Sequence, residues 1–322
     1  MPVSYPAHFP PVWLPNGHAQ SIYPALFRKL SVRYQRERIT TPDDDFLNLD
    51  WSLVSAVKNK LVILSHGLEG DSTRQYIVGM VRLLNAYGYD CLAWNYRSCG
   101  GESNRTLRFY HSGETSDLDF VVHHALAQGY QQIFLIGFSL GGNVTLKYAG
   151  EKGKNIPAAL QKVVVFSVPM DLLACSRNIE KPQNKIYLHR FLQSLKPKIA
   201  AKAKQYPHDF AWEDWRRVKT FWDFDHYFTG PLHGFSGADD YYARCSSKHF
   251  VANITVPTLI INAQNDPLVP YESLPIDLIA SLPKVSLELP VHGGHCGFRP
   301  HKFEAKGTYW SEMRALHFLE NA

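Results

Sequence analysis

The chain has 322 residues, 45% hydrophobic and 20% charged, the balance of a folded protein rather than a disordered one. At that length one large α/β unit with an insertion can bury a full core without disulfides or a structural metal. Thirty-four Lys and Arg against 29 Asp and Glu leave a net charge of +5, too mild an excess to imply a nucleic-acid partner.

Five cysteines (Cys91, Cys99, Cys175, Cys245, Cys296) form no C-x-x-C pair, and their odd number fits a reducing compartment better than a disulfide framework. The first residues carry neither a charged leader nor an apolar stretch of signal-peptide type, and no run of about 18 apolar residues occurs. The expectation is a cytoplasmic protein.

In chain order, residues 1–30 are rich in Pro and aromatics and are expected to form an irregular arm. Val32 to Thr40 and Phe46 to Val54 read as two strands of a hairpin around Pro42-Asp43-Asp44-Asp45. Leu61 to Ser65 is a continuous apolar run that ends at His66-Gly67, the pattern of a strand covered on both faces. Similar runs follow at Cys91 to Trp94, Ile133 to Ile136, Val163 to Phe166, Thr258 to Ile261 and Val285 to Leu289. Helical periodicity lies between or after them at Gln75 to Tyr87, Thr115 to Ala127, Ser139 to Ala149 and Phe303 to Leu319. This alternation predicts an α/β fold, a mostly parallel eight-stranded sheet flanked by helices.

The alternation stops between about Asp171 and Val251. A basic amphipathic stretch, Lys185 to Lys204, is expected to kink or end at Pro197. An aromatic-dense segment from Trp212 to Phe228 follows. The division expected is a core of residues 1–170 and 251–322, with a helical cap inserted at 171–250.

The strongest local signal is Gly137-Phe138-Ser139-Leu140-Gly141-Gly142, directly after one predicted strand and at the start of a helix. G-x-S-x-G in that setting places a serine on a sharp turn with its hydroxyl presented at the end of the sheet. A serine needs a base, and the base needs a carboxylate to orient it. Asp266 follows the Thr258 strand and His295 follows the Val285 strand, in the order Ser, Asp, His. Asp171 competes as the acid and His292 as the base. His292-x-x-His295 could be half of a metal site, although no third ligand stands at a telling spacing.

Donors for a developing oxyanion are expected from two backbone N–H groups. One is that of Leu140, next after the serine; the other is that of Leu68 in the His66-Gly67-Leu68-Glu69-Gly70 loop. Asn95 to Gly101 reads as a loop at the site's rim, with a structural Gly turn favoured over a phosphate loop. His123 and His124 read as surface or packing residues, and Cys296 as packing rather than a thiol nucleophile. The basic stretch at Lys185 could meet an anionic membrane surface, although cap helices are amphipathic in any case.

With these residues in view, the chain resembles the YheT-like family (AB hydrolase family 4) of the α/β-hydrolase superfamily. Asn16-Gly17-His18-Ala19-Gln20-Ser21 is similar to the family's N-G-H-x-Q-[T/S] opening, with Ala19 where Leu is commoner. His66 to Gly70, Asn95 to Cys99, Tyr110 to Gly113, Asp240 to Tyr242 and Gly293 to Phe298 look like further family signatures. The resemblance spans residues 10 to 300. It implies a helical-capped α/β-hydrolase fold, a triad of Ser139, Asp266 and His295, and hydrolysis of small-molecule esters without a cofactor. It leaves acyl transfer to an alcohol as an alternative, and a non-catalytic binding protein as a remoter one. The oligomeric state and the purpose of the Asn16-Gly17-His18 opening are left open.

Overall fold

The continuous apolar runs assemble into one twisted sheet. In the computed structural model, which describes residues 2–54, 58–209, 211–304 and 307–321, its strands are β1 (Val3–Ser4), β2 (Gln35–Thr40), β3 (Phe46–Ser52), β4 (Lys60–Ser65), β5 (Asp90–Asn95), β6 (Gln132–Phe138), β7 (Leu160–Phe166), β8 (Thr258–Ile261) and β9 (Val285–Glu288). Their order across the sheet is β1-β9-β8-β7-β6-β4-β5-β3-β2. All neighbouring pairs are parallel except β2 with β3 and β3 with β5.

Successive side chains of a strand point to opposite faces, so a strand apolar at every position serves two cores. On β4, Leu61 and Ile63 enter one core and Val62 and Leu64 the other, all fully buried. The first core is closed by α3 (Thr115–Ala127) and α4 (Leu140–Lys152) through Leu118, Val121, Val122, Val144 and Leu146. The second is closed by the earlier helix α2 (Gln75–Ala86) and by the C-terminal helix Trp310–Glu320, through Ile77, Val81, Leu84, Ala315 and Leu316.

Three expectations need correction. The sheet has nine strands among the described residues rather than eight, because Val3–Ser4 pairs with Leu287–Glu288 at its edge. The first thirty residues are not irregular throughout. Asn16 caps a helix, α1 (Gly17–Phe27), by accepting a hydrogen bond from Ala19 N at 2.9 Å. The last helix begins at Trp310 rather than Phe303, with Tyr309 and Glu312 closing its first turn.

Between β7 and β8 the described residues form helices and turns only. They include α5 (Leu172–Ile179), α6 (Lys185–Gln205), α7 (Phe221–Phe224), α8 (Gly230–Leu232) and α9 (Ala238–Cys245); α10 (Ile276–Ala280) follows β8, and the C-terminal helix is α11. Pro197 does not end α6, which runs on to Gln205. Pro197 and Gln193, whose carbonyl loses its helical donor, are both exposed, so water can satisfy that oxygen.

The acidic hairpin turn has a second function. Arg97, buried just beyond β5, pairs through Nε and Nη2 with both carboxylate oxygens of Asp117, each at 2.8 Å. Its Nη1 reaches Asp43 at 2.8 Å and Asp45 at 3.1 Å. The hairpin, the loop after β5 and the first turn of α3 thus share one cation, and the Asn95 to Gly101 segment is an internal anchor rather than a rim loop. Replacing Arg97 by Met leaves buried carboxylates unpaired, a loss of about 3–5 kcal/mol. Thermal unfolding of Arg97→Met should show a Tm lower by on the order of 10 °C; an unchanged Tm would count against this anchoring role.

Candidate active site

The turn between β6 and α4 is set by close packing. A Cβ on Gly141 would lie 2.3 Å from the carbonyl oxygen of Ser65, so only glycine lets α4 start so near β4. Ser139 takes φ 55°, ψ −121°, a conformation rarely tolerated by a residue with a side chain. Its own N–H donates to Phe166 O at 2.9 Å, and its carbonyl accepts from Asn143 N at 3.1 Å.

Ser139 Oγ lies 2.9 Å from His295 Nε2, and His295 Nδ1 lies 2.8 Å from Asp266 Oδ2. The Asp266 side chain is fully buried, and its Oδ1 also accepts from Leu268 N and Val269 N. With an acceptor at Nδ1, the imidazole holds its proton there and leaves Nε2 free to accept one from the serine. The rivals lie elsewhere. Asp171 caps α5 through Ala174 N and pairs with Lys248 at 2.6 Å. Asp171 makes no contact with His295, and His292 Nδ1 has no partner among the described residues. Cys296 is half-buried, and its desolvation raises the thiol far above the ordinary range. Among the described residues no three His, Cys, Asp or Glu side chains converge as metal ligands. His123 is exposed on α3, and His124 meets Glu37.

The turn after β4 is fixed by His66. Its Nε2 accepts from Tyr96 N, so its Nδ1 carries the proton and donates to Gly67 O at 2.8 Å. Burial lowers the His66 pKa to about 4, which keeps the ring neutral. Gly70 N donates to the same Gly67 oxygen at 3.0 Å. A trans peptide points its C=O and N–H in opposite directions, so holding the Gly67 carbonyl on one side turns Leu68 N–H to the other. The N–H groups of Gly67, Glu69 and Gly70 are all engaged, whereas that of Leu68 has no acceptor among the described residues. Leu140 N–H is likewise free of an intrahelical acceptor, being the first of α4. Leu68, Leu140, Ser139 and His295 line one cavity.

Sequence reasoning missed what holds the histidine loop. Four consecutive N–H groups there each donate to a side chain. Gly293 N goes to Gln20 Oε1 at 2.8 Å and Gly294 N to Asn265 Oδ1 at 3.0 Å. His295 N goes to Ser21 Oγ at 2.8 Å and Cys296 N to Ser167 Oγ at 2.9 Å. Gln20 Oε1 also accepts from Asn265 Nδ2, which ties the loop of Asp266 to the loop of His295. Gly17 makes this possible: a Cβ there would lie 1.9 Å from the Asn265 carbonyl oxygen. The Asn16-Gly17-His18-x-Gln20-Ser21 opening is therefore a brace. Its signal in the sequence is Asn16 at the head of a helix that carries the polar pair Gln20 and Ser21.

The cavity contains about 870 Å³ of unfilled space, part of it open to solvent. Helices between β7 and β8 supply an apolar wall that includes Ile179, Phe191, Leu195, Phe221 and Phe224. Lys198 of α6 pairs with Glu69 at 2.7 Å, fastening that wall to the turn after β4. One carboxyl interrupts the apolar lining. Asp225 accepts from Tyr242 OH at 2.7 Å, and burial pushes its pKa up to about 6 despite hydrogen bonds from Thr229 and Tyr242.

The family model described as the alpha/beta hydrolase fold matches residues 60–301, and the strand order agrees with it: the chain belongs to the α/β hydrolases. YheT of Escherichia coli (strain K12), which bears an esterase name, is 35% identical over 292 residues, 88% of this chain and 84% of its own. A mouse protein named phospholipase ABHD3 is 32% identical over 325 residues, 97% of this chain and 78% of its own. The Pyrococcus furiosus esterase Pf2001 shares the fold at 17% identity, with a TM-score of 0.59 and 98% of each chain covered. Within the α/β hydrolases this chain is a member of the YheT-like family, and it is a hydrolase of the esterase kind.

The raised Asp225 pKa carries a stability consequence. An unfolded aspartate titrates near 3.8. Between about pH 4 and 6 the folded chain therefore keeps a proton that the unfolded chain has lost, and stability falls as pH rises through that window. Asn at this position keeps an acceptor for Tyr242 without a charge to bury. Asp225→Asn should be the more stable protein at about pH 7, by up to about 3 kcal/mol, and should show little gain at about pH 4. Thermal unfolding at the two pH values checks this; an equal gain at both would remove burial of charge as the cause.

Proposed function

We propose that this protein cleaves carboxylic esters with hydrophobic acyl or aryl groups through an acyl-enzyme on Ser139. The observation that carries the reading is the hydrogen-bonded chain from Asp266 through His295 to a serine held at a strained turn. Ser139 Oγ attacks the ester carbonyl carbon, and His295 Nε2 takes the hydroxyl proton. The tetrahedral oxyanion accepts hydrogen bonds from Leu68 N–H and Leu140 N–H, each typically worth about 3 kcal/mol in the transition state. The C–O bond to the alcohol breaks and His295 returns the proton to the leaving oxygen. Water then attacks the acyl carbonyl, His295 takes its proton, and the carboxylic acid departs as the Ser139 hydroxyl is restored. Asp266 fixes the Nδ1–H tautomer and stabilises the imidazolium formed in each half. The scheme uses protein groups and water.

The apolar wall supports a lipid-like or aryl acyl group, since such a lining buries a chain and keeps bulk water from the acyl-enzyme. The phospholipase name of the mouse relative points the same way. On this reading the helices of residues 171–250 are a cap over the core formed by residues 1–170 and 251–322. Five free thiols fit a reducing, cytoplasmic setting.

Intact-protein mass after treatment with a fluorophosphonate should show one adduct on the wild type and none on Ser139→Ala. Ester turnover should fall on the order of 10⁴-fold or more in that variant. A wild type without an adduct would instead favour a binding protein on this fold. The brace gives a second test. Gln20→Leu frees two N–H donors that hold the loops of Asp266 and His295, and should lower kcat by about 10–100-fold with little change in KM. Gln20→Leu with wild-type kcat would show that the loops hold their geometry without α1.

A further inference from the structure

Between Glu180 and Asp209 the chain has no acidic residue and seven Lys or Arg, more positive charge than the +5 of the whole sequence. Most of that segment is α6. At 100° per residue, its exposed Lys185, Ile186, Arg190, Lys196, Pro197 and Lys204 fall on one arc of about 140°. The opposite side is buried through Leu188, Leu195 and Ile199, and Phe191 and Leu195 line the cavity. Two cations are used internally: Lys198 pairs with Glu69, and Lys202 donates to the carbonyl oxygens of Asn104 and Thr106. Lys185, Arg190, Lys196 and Lys204 have no carboxylate within ion-pair distance among the described residues.

We propose that this outer face of α6 docks the protein on an anionic lipid surface. A helix about 31 Å long with unpaired cations on one face has the charge to lie along a sheet of phosphate headgroups. Ile186, 65% exposed within that cationic face, supplies an apolar side chain that can enter the headgroup boundary. A nucleic-acid surface would have no use for that side chain. Docking also places a bilayer one helix thickness, about 10 Å, from an apolar cavity. The proposal goes beyond the esterase reading and does not depend on it, since the face contains none of the reacting groups.

The test is flotation of the full chain with vesicles of phosphatidylcholine alone and of phosphatidylcholine mixed with phosphatidylglycerol. The wild type should partition at least about tenfold more strongly to the mixed vesicles, and added salt should abolish the difference. Each cation near such a surface contributes roughly fivefold, so combining Lys185→Gln, Arg190→Gln, Lys196→Gln and Lys204→Gln should lower partition on the order of 100-fold or more. Hydrolysis of a water-soluble short-chain ester by that variant should match the wild type. Ile186→Ser, one exposed position that cannot unfold the chain, should weaken binding severalfold by itself. Ser139→Ala should bind as the wild type does, which separates docking from turnover. Equal partition to the two vesicle types, or undiminished binding by the fourfold variant, would overturn the proposal. So would retention on duplex DNA at the same salt without vesicle binding.

Discussion

A buried peptide N–H must find an acceptor, and in the loop that carries His295 four successive N–H groups find none in the backbone. Their positive-φ glycines, Gly293 and Gly294, turn the chain away from any ladder. Side chains of Gln20, Asn265, Ser21 and Ser167 take the place of strand partners. They come from three stretches of the fold, α1 for Gln20 and Ser21, the loop after β8 for Asn265 and the turn after β7 for Ser167, so the histidine is held from three sides. Its 2.9 Å approach to Ser139 is the outcome of those tethers together with the 2.8 Å contact to Asp266.

The serine depends on the same logic of enforced contacts. Its left-handed backbone is unfavourable by itself and persists because the surroundings allow nothing else. The glycine next but one lies against Ser65, β7 receives the Ser139 N–H, and Asn143 of α4 bonds back to the Ser139 carbonyl. Asn143 in turn is wholly buried, with its amide shared among Ser112 O, Cys245 O and Ser247 N. The start of α4 is thus fixed to the helical segment that walls the cavity. Lys198 and Glu69 make the corresponding link on the other side, between that wall and the turn of Leu68.

Much of this was legible before any coordinates. The strands β4 to β7 each carry four consecutive apolar residues, and that pattern survives only in a sheet covered on both faces, as found. The positions of Ser139, Asp266 and His295 followed from where those strands end. Legibility failed where the determining partner is remote. The helix at Gly17–Phe27 starts on a glycine and contains Pro24, so its local pattern is poor, and its capping Asn16 is the one clear sign. Pro197 was read by its local preference, which the buried Leu195 and Ile199 override. Arg97 looked like part of a rim loop because nothing nearby announces that its partners are Asp43, Asp45 and Asp117.

The brace spans 273 positions from Gln20 to Gly293. A ribosome makes Gly293 long after Gln20. The strained serine turn, β4 and the wall over the cavity all precede His295 in the chain. Since a contact between such distant positions closes late, the arrangement of Asp266, His295 and Ser139 is completed only when α1 meets the loop of residues 293–296. On a nascent chain Ser139 is therefore without its histidine partner until that loop has emerged. Chemical labelling of Ser139 on chains stalled before and after residue 295 would read out the moment at which the tertiary structure closes.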